Sequence, residues 1–147
     1  EIPENVLQEN TTCHLDLGYV FDIAQVSING SDPVILWKKP FAMDVTRLIK
    51  PGKNTFSIQV ANRWINRLIG DQKTPVDFTY QEGGNIFRAG RIESFPDWLA
   101  DPDKAAREQK RHTFTTWKHY SEDSPLVLSG LLGPVKLTMY SRVNILQ

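Results

Sequence analysis

Between Ile23 and Arg63 the chain alternates apolar with polar residues in short runs separated by turn-forming pairs. Such a stretch can hide its apolar side chains only by folding as half-buried sheet. Ala24, Val26 and Ile28 alternate with Gln25 and Ser27, and Asn29-Gly30 then reverses the chain, because both residues tolerate positive φ. Val34 to Trp37 is a second strand. Pro40 lacks a backbone donor, so Phe41 to Val45 is a third strand rather than a continuation. Thr46 is placed to cap the turn around Arg47 to Lys50, and Pro51-Gly52 makes the next reversal. Phe56, Ile58 and Val60 then alternate with Thr55, Ser57 and Gln59, the clearest period of two in the chain. The pattern predicts a four-stranded β meander.

Outside this stretch the signals are shorter. Glu1 to Asn10 reads as a linker or arm and residues 11–147 as a single β-sandwich domain, a length one core can serve. Thr11 to Leu17 is a first strand, with Asp16 facing solvent or a partner, and Gly18 to Asp22 a turn. Trp64 with Leu68 and Ile65 with Ile69 stand four residues apart, which suits one or two helical turns ended by Gly70 in a left-handed conformation. Residues 71–112 form a long insertion-like connection with little periodicity, and connections beyond roughly 12–15 residues are uncommon unless functional or disordered. Phe78, Tyr80, Phe87, Phe95 and Trp98 argue that it is ordered. Asp101-Pro102 starts a charged, exposed helix over Asp103 to Lys110. A strand resumes at Thr113 to Trp117, SGLLGP makes a turn, and Val135, Leu137 and Met139 mark the last strand.

Composition excludes several classes of function. Seventeen basic and seventeen acidic residues cancel, so the chain carries no general attraction to nucleic acid or to an anionic membrane. No apolar run reaches the length of a spanning helix, and EIPENVLQEN has neither the basic nor the apolar region of a signal peptide; starting without Met, the chain reads as a piece of something longer. Cys13 is alone, so an intrachain disulfide is impossible, and its place among strand residues suits a small buried thiol.

The run from Val26 to Val60, VSINGSDPVILWKKPFAMDVTRLIKPGKNTFSIQV, resembles the sugar-binding jelly roll of glycoside hydrolase family 2, with its NG turn, aromatic strand, D-[IV]-T step and L-x-x-G-x-N. NRWINRLIGDQ (Asn62 to Gln72) and FTTWKHYSEDSPLVLSGLLGPVKL (Phe114 to Leu137) resemble the C-terminal galactose-binding-like domain of bacterial α-L-rhamnosidases of the family 106 type. Together these segments cover roughly Leu15 to Leu137. The resemblance implies an all-β antiparallel jelly-roll or galactose-binding-like sandwich acting as a non-catalytic accessory domain of a glycoside hydrolase. It implies as partners the rest of that hydrolase and a plant or host glycan, in a periplasmic or extracellular setting. An autonomous carbohydrate-binding module is the alternative, and a self-contained glycosidase a distant one.

The residues themselves point to no catalytic centre. Glycoside hydrolysis needs two carboxyl groups roughly 5 to 10 Å apart, and no motif selects two among the seventeen acidic residues. Asp44, beside Thr46, reads as a partner for nearby backbone donors. Ser129-Gly130 is not a nucleophile elbow, and His14, His112 and His119 lack ligands at zinc-like spacing. No cofactor is implied; a structural calcium would suit the resemblance, but no dense Asp/Asn loop marks one. Sugar recognition needs flat rings beside polar groups, and Tyr80 and Trp98 in the long connection offer such rings. Trp37, Trp64 and Trp117 lie on or beside regular elements and read as core. Asn62, Asn66, Arg67 and Asp71 around the WINRLIGD turn, and Trp117, Lys118 and Tyr120 in the second motif, would converge if the motifs meet. These are the candidates for contact with a glycan or a neighbouring domain.

Overall fold

A computed structural model describes residues 1–76, 78–83, 89–101, 103 and 111–141. They fall into two compact units, Glu1–Arg63 with Leu128–Gln147, and Trp64–Val127.

The first unit is an all-β antiparallel sandwich. Its strands are β1 (Thr11–Asp16), β2 (Tyr19–Phe21), β3 (Ile23–Ile28), β4 (Val34–Leu36), β5 (Ala42–Asp44), β6 (Phe56–Ala61), β7 (Gly130–Gly133) and β8 (Lys136–Ser141). They make two three-stranded sheets, β5-β1-β8 and β4-β3-β6, and a β2-β7 pair. Period-two alternation sends Cys13 and Leu15 of β1 and Ala24, Val26 and Ile28 of β3 into one core, completed by Leu17, Val20, Phe41 and Val45. Leu36, Ile58, Val60, Leu137 and Met139 pack against its margin. Phe56, Ile58 and Val60 are therefore less enclosed than the strength of their alternation suggests, because β6 is an edge strand.

The meander expected over residues 23–63 is not what forms. The two sides of β3 are taken by β4 and β6, with Gln25 opposite both Ile35 and Gln59. The chain leaves β4 at the proline-bearing segment, pairs in the other sheet as β5 against β1, with His14 opposite Asp44, and then returns as β6. Phe41 and Val45, flanking β5, are thereby buried against β1. Two expected turns, Gly18 to Asp22 and SGLLGP, are instead the mutually paired strands β2 and β7. Neither has a period of its own, and each is a strand only because the other supplies hydrogen bonds. Their backbones approach so closely that a Cβ on Gly18, at φ +66, would lie 2.5 Å from the Gly133 carbonyl carbon.

The connecting turns are held by side-chain amides. Asn29 (φ 51) and Gly30 (φ 79) form the expected reversal, closed by the Ser31 N–H donating to Ile28 O at 2.9 Å. The Asn29 amide donates to Leu48 O and to Asn54 Oδ1, while its own Oδ1 accepts the Thr55 N–H. Asn54 in turn donates to Lys50 O at 2.6 Å. The NG and G-x-N elements of the motif are thus one structural clamp. Asp44 Oδ1 likewise accepts the Thr46 hydroxyl (2.6 Å) and N–H (2.8 Å), and these bonds hold its carboxyl below the usual range. The Thr46 hydroxyl oxygen accepts the Cys13 N–H, joining the turn to β1. Cys13 is fully buried, and burial, then the Asp44 charge, pushes its thiol up. At the N-terminus a 3-10 turn spans Glu4–Val6, and Ile2 is buried and pairs with Gly52.

Among the described residues the second unit shows helices α1 (Ile65–Asp71) and α2 (Asp97–Ala100), and isolated bridges join Tyr80 with Ile92 and Arg91 with Trp117. Gly70 does not end α1 in a left-handed conformation; the helix runs on to Asp71, with Gln72 and Lys73 still donating to Ile69 O and Gly70 O. The strand expected over Thr113 to Trp117 reduces to the Trp117 bridge, because the Thr113 N–H is spent on a carboxylate rather than a ladder. Of the expected charged helix only Asp103 is described, its N–H on Asp101 Oδ1; the rest of it, and Phe87, lie outside the described residues.

The burial pattern predicts unequal mutational costs in the sandwich. Leu15→Ala, at 2% exposure, should cost about 2–5 kcal/mol, and Ser57→Ala on the outer face under about 0.5 kcal/mol. Urea denaturation followed by circular dichroism measures both; equal shifts would contradict the inward and outward faces described.

Candidate functional site

The WINRLIG motif becomes α1, and what its polar residues touch decides what they can do. Asn66 exchanges two bonds with Val127, donating to its carbonyl at 2.8 Å and accepting its N–H at 2.9 Å. Asp71, only 3% exposed, accepts at one oxygen the N–H of His112 (3.0 Å), the N–H of Thr113 (2.7 Å) and the Thr113 hydroxyl (2.7 Å). Its other oxygen meets the Arg67 guanidinium at 3.1 Å. Burial is the largest influence on Asp71 and raises its pKa, but the three hydrogen bonds and Arg67 together outweigh it and leave the carboxyl below its ordinary value. Asn66, Arg67 and Asp71 are therefore engaged in closing the second unit, from α1 to residues 112–113 and to Val127.

The remaining sequence candidates lie elsewhere. Asn62 belongs to the first unit and donates to the Ser129 hydroxyl at 2.6 Å. Trp117 and Lys118 lie along residues 90–92: Lys118 N–H donates to Gly90 O, and a Cβ at Gly90 would meet Trp117 Nε1 at 3.4 Å, an ordinary contact, so it is the φ of +77 that favours glycine there. Tyr120 neighbours His119. Tyr80 donates its hydroxyl to Thr115 O and packs edge-on against Phe78. Trp98, half-buried, stands edge-on to Phe114, which also meets Phe78 and Phe95. Arg111 is buried with its guanidinium 4.9 Å over Phe78 and its Nε–H on Thr113 O.

Sequence reading missed a groove of about 360 Å³ lined by Trp64, Leu68, Trp98, Leu99, His112, Thr113 and Phe114. Trp64, expected in the core, is 68% exposed. Its four-residue spacing from Leu68 gave the face of α1 correctly but not what covers it. Trp37, likewise expected in the core, is 66% exposed just past β4, and Trp117 is half-buried. Among the described residues no group of three His, Cys, Asp or Glu is arranged to hold a metal.

No family model matches the chain. It is 42% identical over 139 residues to a "Putative beta-glucuronidase" of Formosa agariphila, an alignment that covers 95% of this chain and 11% of that protein. It is also similar to the solved structure of a rhamnosidase from Novosphingobium sp. PP1Y, at 36% identity and a TM-score of 0.60, over 90% of this chain and 10% of that one. The chain thus spans about a tenth of each relative. It is a β-sandwich segment of the kind present in large glycoside hydrolases.

The Asp71 cluster predicts a pH-dependent stability. A carboxyl depressed below its unfolded value of about 3.9 adds stability at neutral pH that is lost as pH falls through the folded pKa. Asp71→Asn should cost about 1.5–3 kcal/mol at pH 7, since the bonds lost are to a charged group, and less at pH 3. Denaturant midpoints at the two pH values measure this; an equal loss at both would show that the charge is not what matters.

Proposed function

We propose that this chain is a non-catalytic accessory domain of an α-L-rhamnosidase-like glycoside hydrolase, packing against the catalytic part of the same protein. The observation that carries this reading is the alignment of nearly the whole chain with about a tenth of a rhamnosidase structure. The catalytic carboxyl pair of the parent then lies in residues outside this segment. A periplasmic or extracellular location goes with the same proposal.

The outer face of the β4-β3-β6 sheet supports a packing role. Its outward positions are Ile23, Gln25 and Ser27 on β3, Ser57, Gln59 and Ala61 on β6, and Ile35 on β4. None carries a charge, in a chain where 23% of residues do. Ile23 and Ile35 are 43% and 51% exposed there. Depletion of charge is a mark of a buried interface core, and the exposed Ile23 and Ile35 beside the central Gln25 give this face apolar area that a neighbouring domain would cover.

The isolated chain should release no phenol from aryl α-L-rhamnosides or aryl β-glucuronides above the buffer rate. In the parent protein, Ile35→Asp should lower the thermal midpoint or detach the domain to proteolysis, while leaving the isolated chain's stability almost unchanged. Turnover by the isolated chain that a single Asp or Glu substitution abolishes would refute the accessory reading. An Ile35→Asp parent as stable as the unmodified protein would refute the packing face.

A further inference from the structure

We infer that the cleft at Asp16, Gly18, Tyr19, Lys39, Pro40 and Phe41 is a binding site for a neutral pyranose ring. The proposal deepens the accessory-domain reading, on which its choice of ligand class rests. The cleft has a volume of about 440 Å³, in the range of small-ligand sites of roughly 300–1,000 Å³. It lies wholly within the sandwich unit.

Its walls are fixed by backbone. Asp16 ends β1 opposite Ala42, and the next residue, Leu17, donates its N–H to Phe41 O at 2.8 Å, so the β1 end and the 39–41 segment are locked together. Gly18 is pressed against Gly133, where no side chain fits, and Tyr19 is paired with Gly133. Phe41 is 5% exposed and closes the floor, whereas the Tyr19 ring stands 58% exposed at the wall.

The polar groups are of both kinds. The Asp16 side chain turns one oxygen, Oδ1, to the Gly18 N–H at 2.8 Å, which fixes the carboxylate and leaves Oδ2 as an acceptor. Lys39 brings an ammonium, its Nζ 5.5 Å from the Tyr19 ring centroid. An aromatic face, a fixed acceptor and a mobile donor around one cleft match a pyranose, which offers an apolar C–H face and hydroxyls that both donate and accept. An exposed cation–π contact is weak, so Lys39 can leave the ring for a sugar hydroxyl as the sugar takes its place. The carboxylate and the ammonium cancel, which favours a neutral sugar over a uronate. The Trp64 groove, by contrast, is walled mainly by apolar and aromatic side chains, and the Thr113 hydroxyl in it is already bonded to Asp71.

The test is amide chemical-shift perturbation of the chain titrated with methyl α-L-rhamnoside, methyl β-D-galactoside and methyl β-D-glucuronide. Saturable shifts confined to residues 16–19 and 39–41 with a neutral glycoside are expected, with affinity reduced at least tenfold by Tyr19→Ala and by Asp16→Asn. Lys39→Met serves as a second variant that leaves the walls intact, and it too should weaken binding. Shifts with the glucuronide alone, shifts centred on the Trp64 groove, or none with either neutral sugar would overturn the proposal. Those outcomes leave the accessory reading standing, since it is decided by turnover and by the parent's stability.

Discussion

The contact on which the sandwich depends is the one between the inward residues of β1 and those of β3. Cys13 and Leu15 on one strand and Ala24, Val26 and Ile28 on the other are almost wholly removed from water, and burial of apolar area is the dominant favourable term in folding. Each of these strands is the centre of its three-stranded sheet. A polar residue at any of these positions would disturb both sheets at once, because the core is shared. The edge strands β4, β5, β6 and β8 add half-buried residues around that contact, and their looser burial is what leaves surfaces free for other roles.

Polar residues that stand out in the sequence mostly turn out to be fasteners. Asn29 and Asn54 bind each other and the backbone of the adjoining turns, and Asp44 with Thr46 ties the end of β5 to β1. In the second unit Asp71 gathers two backbone N–H groups, a hydroxyl and a guanidinium. The described residues of this unit form few ladders, so their buried backbone donors must find other partners. A carboxylate can accept several of them at once, and that explains its burial without any catalytic role.

The surfaces left over differ in chemistry. The uncharged outer face of β4-β3-β6 resembles the centre of an interface, the Trp64 groove is aromatic, and the Tyr19 cleft joins a ring to a carboxylate and an ammonium. The similarity to parts of a "Putative beta-glucuronidase" and of a rhamnosidase structure gives these surfaces a common setting. An accessory domain of a large hydrolase has two tasks available to it, holding a neighbour and holding a glycan, and they call for different surfaces.

The sequence alone determined the sandwich class, the inward residues of β3, the inward side of Ile58 and Val60 in β6, the Asn-Gly reversal and the structural part played by Asp44. Those features are local: period two, turn chemistry and bonds between near neighbours are written in adjacent residues. Strand partnership was decided only in three dimensions. Ala42 to Asp44 could not announce that it would join β1 rather than β4, and Tyr19 to Phe21 and Gly130 to Gly133 are strands only through each other. Exposure was decided there as well: Trp37 and Trp64 carry the chemistry of core residues, but whether an indole is covered depends on what lies across from it, which no spacing encodes. The Tyr19 cleft belongs to the same class, since Asp16, Tyr19 and Lys39 become one site only when β1, β2 and the segment after β4 are brought side by side.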